Sequence, residues 1–173
     1  MKGYKLLWLI TNVIVVCTLI NPSSHVSASD GKYNRASLRG LEGVYVSVEN
    51  LDPEIEKDGL GKDLIRKDAV LQLRSAGIKV LSRQRWFDVT GSPYLYVNPH
   101  ILKLRDTGEY IYSINIALKQ NVYPVRESIE ILGAATWSPG GIIGITGNMK
   151  KIRTSLQEQV KKFIDAYLAE NAK

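Results

Sequence analysis

The sequence predicts an α+β protein, with a mixed, largely antiparallel sheet and two helices packed on one of its faces. In residues 110–119 every second residue is large and apolar, which is the spacing of a strand with one buried face. Residues 60–76 and 150–168 carry apolar side chains at helical spacing instead. The expected order of elements is β-α-β-β-β-β-α.

The first 28 residues have the organisation of an export signal. A short basic start precedes a largely apolar run at residues 6–20, and small residues ending at Ala28 follow. The run is short for a membrane span, although an uncleaved signal anchor is the alternative. Cys17 lies inside the apolar run, so the chain is not expected to be a lipoprotein. We expect a periplasmic or secreted protein that is cleaved near Ala28.

The composition of the chain beyond Ala28 excludes several kinds of site. It contains no cysteine and one histidine, His100. Disulfides are therefore impossible there, and stability must come from a hydrophobic core. A single imidazole cannot build a multi-histidine metal centre. The formal charge of the whole chain, +6 at pH 7, is mild and does not identify a nucleic-acid binder.

The first half of the exported chain begins with a polar stretch at residues 29–40, which we expect to be a flexible leader before a single domain at 41–173. Alternating valines predict a strand within residues 41–48. An acidic turn then leads into the helix at 60–76, and Gly77 is the residue expected to end it.

The second half is predicted to be mostly strands. A short apolar run at residues 78–81 predicts a strand, and residues 82–92 are expected to form an extended connection. Three strands of a meander follow at 94–104, 110–119 and 125–137. Asn148 is the expected N-cap of the final helix at 150–168.

An uncharged, glycine-rich segment from Trp137 to Gly147 precedes the final helix. Its glycines loosely resemble a phosphate-binding loop, but the Gly-Lys-Ser/Thr ending is absent, so we expect no cofactor. Three interpretations are open. The last strand continues through residues 142–146; or the segment crosses beneath the final helix as part of the core; or it is an exposed apolar flap that contacts a partner or lipid.

Two surfaces are candidates for binding a partner. The first is the glycine-rich segment, through Trp137, Ile142, Ile143 and Ile145. The second is an open sheet face carrying tyrosines, which combine apolar area with a polar tip: Tyr94, Tyr96, Tyr110 and Tyr112. The alternative for the last two is that they lie in the core beneath the helices. The cations and aromatics of residues 83–87 suit stacking on a sugar or a nucleic acid, although packing at the rim of the sheet is favoured.

The pattern of polar residues predicts no catalytic residues, no metal ligands and no enzyme activity. His100 lacks the companion motifs of a nucleophilic triad, and a hydrolytic enzyme is therefore the least favoured reading. The acidic residues Glu54, Glu56 and Asp58 resemble the start of a calcium loop, but the closing position holds Ile65 instead of an acid. Acids before a helix also favour its dipole, which is a sufficient role for them.

The C-terminal region resembles a group of small exported bacterial proteins. The features that carry the resemblance are Trp137, the glycine-rich apolar stretch, and a helix ending in FIDAYLAEN from Phe163 to Asn171. The element order over residues 41–171 is also similar to periplasmic domains of the Tol-Pal translocation protein and of curli and lipopolysaccharide-assembly lipoproteins. Those lipoproteins carry a lipobox cysteine that this chain lacks. The resemblance implies a non-catalytic envelope domain that binds other components.

These observations lead to an expected function and one alternative. We expect an exported, envelope-associated binding or assembly module that contacts an envelope protein and no nucleic acid. The alternative is a periplasmic protein that binds a lipid or another small apolar ligand, with the helix at residues 60–76 roofing a cavity.

Overall fold

The computed structural model describes residues 29–172. The predicted signal peptide, residues 1–28, lies outside the described residues. Within the described range, no helix combines the length and the apolar character needed to cross a membrane.

The described chain forms one mixed sheet of five strands. They are β1 (Tyr45–Val48), β2 (Tyr94–Lys103), β3 (Tyr110–Val122), β4 (Ile131–Trp137) and β5 (Ile142–Thr146). β1 pairs in parallel with β2, and the other pairings between strands are antiparallel. The sheet and its helices confirm the predicted α+β fold.

Within residues 29–172, five α-helices and one 3-10 turn accompany the sheet. They are α1 (Lys32–Arg35), the 3-10 turn (Ala36–Leu38), α2 (Pro53–Lys57), α3 (Lys62–Ser75), α4 (Arg83–Asp88) and α5 (Met149–Asn171). The two long helices, α3 and α5, cover one face of the sheet, and their apolar stripes join its buried residues in one core. One predicted boundary of each helix is confirmed, the stop at Gly77 after α3 and the N-cap at Asn148 before α5. Gly77 has a φ of 76° after α3, and the Asn148 side chain accepts a hydrogen bond from the Lys150 amide.

The alternation along β3 decides which side chains enter the core. Its covered face buries five large residues, Tyr110, Tyr112, Ile114, Ile116 and Leu118. The residues between them lie on the opposite face, which neither α3 nor α5 covers. We call this second side the open face. One strand therefore supplies both the centre of the core and the middle of an exposed surface.

Four segments differ from the prediction. Residues 125–130, expected to begin the third strand of the meander, lie outside β4, which begins at Ile131. Residues 78–81 form a single bridge, Val44 to Val80, instead of a strand. Residues 82–92 contain α4 instead of an extended connection, because the Ser82 side chain accepts a hydrogen bond from the Arg85 amide and begins a helix. Residues 29–40, expected to be a flexible leader, contain α1 and the 3-10 turn, and Leu38 lies fully buried in the core.

The glycine-rich segment continues the last strand after an interruption. β4 and β5 pair with different halves of β3 along the edge that β2 does not use. Between them, the Ser138 hydroxyl donates a hydrogen bond to the Ile116 carbonyl oxygen at 2.8 Å, and Gly140 has a φ of 84°. The first of the three interpretations is therefore right for residues 142–146, whereas Trp137 belongs to the core as the second supposed.

Candidate functional site

The open face carries a contiguous group of exposed aliphatic side chains at one end. Leu102 of β2 opposes Ile111 of β3, which in turn opposes Ile145 of β5, and Ile143 lies two residues before Ile145. Their exposed fractions are 63% for Leu102, 40% for Ile111, 83% for Ile143 and 54% for Ile145. We call these four residues the aliphatic patch. Four exposed aliphatic side chains in register across three strands form the kind of surface that binds a partner.

The local sequence explains why the aliphatic patch is flat and open. Ile143 and Ile145 flank Gly144, whose position on the covered face is filled by the ring of Tyr112. A Cβ at Gly144 would lie 2.6 Å from the Tyr112 ring, so glycine allows β5 to lie close to β3. Polar residues border the patch, since His100 and Ser113 face each other beside Ile143. A shallow concavity of about 250 Å³ is lined by His100 and Ser113 together with Leu102, Ile111 and Ile143 of the patch.

The other end of the open face carries aromatic side chains in sequence. Tyr45 of β1 stacks on Trp86 of α4 with ring centroids 5.2 Å apart. Trp86 meets the edge of Tyr94 at 5.5 Å, and Tyr94 meets the edge of Tyr96 at 6.4 Å. We call these four residues the aromatic row. The contacts of Trp86 with this row hold α4 against the rim of the sheet. Packing at the rim is the role that the sequence favoured for residues 83–87.

A cation lies over each end of the aromatic row. The guanidinium of Arg66 lies 5.1 Å from the ring centroid of Tyr45, and the ammonium of Lys119 lies 3.9 Å from that of Tyr96. The Tyr96 hydroxyl donates a hydrogen bond of 2.5 Å to the Glu49 carboxylate. That hydrogen bond to a carboxylate raises the pKa of Tyr96 to about 12, so the hydroxyl stays protonated at neutral pH.

The structure separates the tyrosines that the sequence had grouped together. Tyr94 and Tyr96 lie on the open face, whereas Tyr110 and Tyr112 are buried on the covered face. The open-face reading was therefore wrong for the second pair, and the core alternative is right. The reason is the phase of β3, which places these two rings under the helices with Ile114.

The predicted residues of the glycine-rich segment also divide between the two faces. Trp137 is 0% exposed, its ring centroid lies 5.6 Å from that of Phe163, and its indole N–H donates to Asp30 at 2.8 Å. It is a core residue, so its side chain offers no surface to a partner. Ile142 is half-buried against the core, while Ile143 and Ile145 are exposed in the aliphatic patch.

Three further residues of these surfaces were not predicted from the sequence: Leu102, Ile111 and Tyr45. Strand alternation could have indicated which side of the sheet two of them occupy. Leu102 lies on the same side of β2 as Tyr94 and Tyr96. Ile111 lies on the side of β3 opposite to its buried tyrosines. The side of the sheet that the helices cover could not be read from the strands alone.

The calcium-like acidic stretch and the lipid cavity considered from the sequence can both be compared with the geometry. Asp58, the last acid of the calcium-like stretch, accepts hydrogen bonds from the Lys103 ammonium at 2.7 Å and the Tyr110 hydroxyl at 2.8 Å, and these lower its pKa. Among residues 29–172, no group of three or more histidine, cysteine, aspartate or glutamate side chains could hold a metal ion. A pocket in the seam between α3 and α5 measures about 10 Å³, which is too small to hold a lipid chain there.

No family model matches the sequence, and no curated protein matches it. Among solved structures, the chain is similar to a PelC dodecamer from Paraburkholderia phytofirmans, with a TM-score of 0.40 and 15% sequence identity. The match covers 82% of this chain and 91% of that chain.

Proposed function

We propose that this chain is an exported, non-catalytic binding module of the cell envelope, which holds a partner protein against the aliphatic patch. The exposure of Leu102, Ile111, Ile143 and Ile145 side by side is the observation that carries the proposal. Single exposed apolar residues are common on any protein, but four side by side across three paired strands are characteristic of an interaction surface.

The energetics of the aliphatic patch support a protein partner. Full burial of a leucine or isoleucine side chain contributes roughly 1.5–3 kcal/mol, so covering even part of the patch offsets a useful share of the cost of association. The partner surface has to be apolar at its centre, because Ile111 and Ile145 present hydrocarbon alone. It has to be polar at its border, where His100 and Ser113 require hydrogen-bonding neighbours.

The proposed location in the envelope rests on the first 28 residues, with their basic start, apolar run and small residues before Ala28. The absence of cysteine after Ala28 is compatible with an oxidising compartment, since no thiol is exposed to mispairing there. The N-terminal residue of the protein purified from its host tests this part. Ser29 or a close neighbour is expected, and a chain that begins at Met1 would contradict cleavage.

Site-specific crosslinking tests the partner surface. A photo-reactive residue at position 143 is expected to capture an envelope protein in the living host, and the same residue at position 125 is not. Val125 is a matched control, because it is a fully exposed aliphatic residue outside the patch, in the connection between β3 and β4.

Two lysine variants complete the test of the aliphatic patch. Ile145→Lys is expected to abolish capture of the same protein from position 143, while Val125→Lys leaves it unchanged, and both variants keep the wild-type circular dichroism. Equal capture with Ile145→Lys and Val125→Lys would reject the aliphatic patch as the binding surface.

A further inference from the structure

We propose that the aromatic row, together with a cationic groove beside it, forms a second site that binds an acidic glycan, meaning a chain of sugar rings that carry carboxylate groups. The aromatic row lies at the opposite end of the open face from the aliphatic patch, and the groove lies beside the row along α3. The site does not depend on the protein partner proposed for the patch.

The groove runs along α3 and has a volume of about 590 Å³. Three cations, Arg66, Lys67 and Arg74, and one acid, Asp63, border it, and its floor includes the half-buried Val70 and Val80. Within the described part of the chain, none of these three cations forms an ion pair or a side-chain hydrogen bond. Their charges are therefore available to an anionic ligand.

Some cations elsewhere on the protein are neutralised by ion pairs. Arg35, Arg39 and Arg153 each form an ion pair with an acidic side chain at 2.7 Å or less. Arg66, Lys67 and Arg74 instead place three unpaired positive charges along one groove, against the single acidic residue Asp63 at its border. This net positive lining favours a ligand with repeated negative charge.

A second concavity, of about 330 Å³, lies over the aromatic row. It is bordered by the four aromatic residues, by Ser47 and by Arg83, whose guanidinium has no ion-pair partner among residues 29–172. Aromatic rings that are half-exposed present C–H and π surface on which the apolar face of a sugar ring can stack. The Ser47 hydroxyl can hydrogen-bond sugar hydroxyl groups at the same place.

The groove and the second concavity are adjacent. Arg66 borders the groove and also lies 5.1 Å over the ring of Tyr45, which is the first residue of the aromatic row. Ser82 borders the groove, and the next residue, Arg83, borders the concavity. A linear ligand can therefore lie along both, with its acidic groups near the arginines and its rings near Trp86.

The combination favours an acidic glycan over other anionic ligands. An acidic peptide would use the cations but has little need of four aromatic rings in sequence. An anionic lipid would need an enclosed apolar space, whereas both concavities are open and Leu71 at the groove is about half exposed. A glycan of acidic sugars uses the two features together, because its rings stack while its carboxylates pair with guanidinium groups.

Isothermal titration calorimetry of the purified exported protein tests the inference. Oligogalacturonate is the probe, a neutral maltooligosaccharide of equal length removes the charge, and polyglutamate of matched charge removes the sugar rings. Oligogalacturonate is expected to bind at least roughly tenfold more tightly than either control, since each control lacks one of the two kinds of contact. Equal binding of polyglutamate would overturn the proposal, as would equal binding of the neutral sugar or the absence of any binding.

Variants assign the binding to this site. The double variant Arg66→Gln with Arg83→Gln is expected to weaken oligogalacturonate binding by roughly tenfold, because it removes two charge-assisted hydrogen bonds. Trp86→Ala is expected to weaken it as well, and the arginine variant keeps the test valid if the tryptophan variant fails to fold. Arg105→Gln with Lys150→Gln is the control, since both side chains are exposed cations away from the row. An equal loss in that control would show unspecific charge attraction and would reject the site.

Discussion

Asp68 of α3 accepts two hydrogen bonds from the guanidinium of Arg153 of α5, at 2.6 Å from Nε and 2.8 Å from Nη2. Gln157 adds a third hydrogen bond to the same carboxylate at 3.1 Å. The Asp68 side chain is 12% exposed, so water competes weakly for these contacts. The pair joins the two helices that cover the sheet, and it thereby fixes how their apolar stripes meet the core.

Replacing Asp68 is expected to destabilise the fold. Asp68→Asn removes the charge and one strong acceptor, and we expect the free energy of unfolding to fall by about 1–2 kcal/mol, a modest value because Arg153 is partly exposed. Urea denaturation measures the change. Asp165→Asn is the matched control, since Asp165 pairs with Lys161 on the exposed side of α5, and a change under ~0.5 kcal/mol is expected there. Equal losses in the two variants would contradict the role of the interhelical pair.

The same pair predicts how stability depends on pH. Hydrogen bonds from Arg153 lower the pKa of Asp68 in the folded protein, so the unfolded chain takes up a proton at higher pH than the folded one. The stabilisation is complete above the ordinary aspartate pKa of about 4 and is lost as the pH falls through the lowered folded value. Asp30 and Asp58, whose pKa values are lowered by Arg35 and Lys103, add to the same trend.

Denaturation midpoints measured as the pH is lowered from neutral check this expectation. Wild type should lose stability on acidification below a pH of about 4, and Asp68→Asn should show a shallower loss over the same range. Identical slopes for the two proteins would mean that Asp68 does not contribute to the acid sensitivity.

Gly144 is expected to be intolerant of any side chain. An alanine Cβ there would lie 2.6 Å from the ring of Tyr112, which is buried and cannot move without disturbing the core. Gly144→Ala should therefore cost about 1–3 kcal/mol in thermal or chemical denaturation. Gly147→Ala is the control in the same segment, because no atom lies within 4 Å of its added Cβ. If both variants kept wild-type stability, the close approach of β5 to Tyr112 would be wrong.

Leu38 provides a test of where the folded domain begins. The residue is fully buried although its neighbours in the sequence are polar, and the Asn171 side chain donates a hydrogen bond to its carbonyl oxygen at 2.9 Å. Leu38→Ala should lower the free energy of unfolding by about 2–4 kcal/mol. Tyr33→Ala, at a position that is 90% exposed in the preceding helix, should have little effect. A neutral Leu38→Ala would mean that residues 32–38 are not part of the fold.

The parts of the fold with a strong repeat could be predicted from the sequence. The alternation in β3 and the helical stripe of α5 each extend over many residues, so a single exception does not hide the period. α4 has six residues and none of them is buried, which left no apolar stripe to detect. Leu38 is one apolar residue in a polar segment, and a single residue has no period at all.

The candidate site was predictable only in part, for a different reason. Alternation shows which residues share a side of a strand, but it does not show which side the helices cover. Tyr94 and Tyr110 therefore looked equivalent in the sequence, although one is on the open face and the other in the core. Trp137 and Ile143 differed for a similar reason, since their sides depend on how two separate half-strands pair with β3.

Residues 138–141 separate β4 from β5 along the edge of the sheet beyond β3. Each of these two strands has its own register with β3. The first of them, β4, supports the aromatic row, because the hydroxyl of Tyr94 lies over Gly133. The second, β5, contributes Ile143 and Ile145 to the aliphatic patch. The two surfaces thus rest on separate half-strands, and a variant in one half-strand is expected to leave the surface on the other in place.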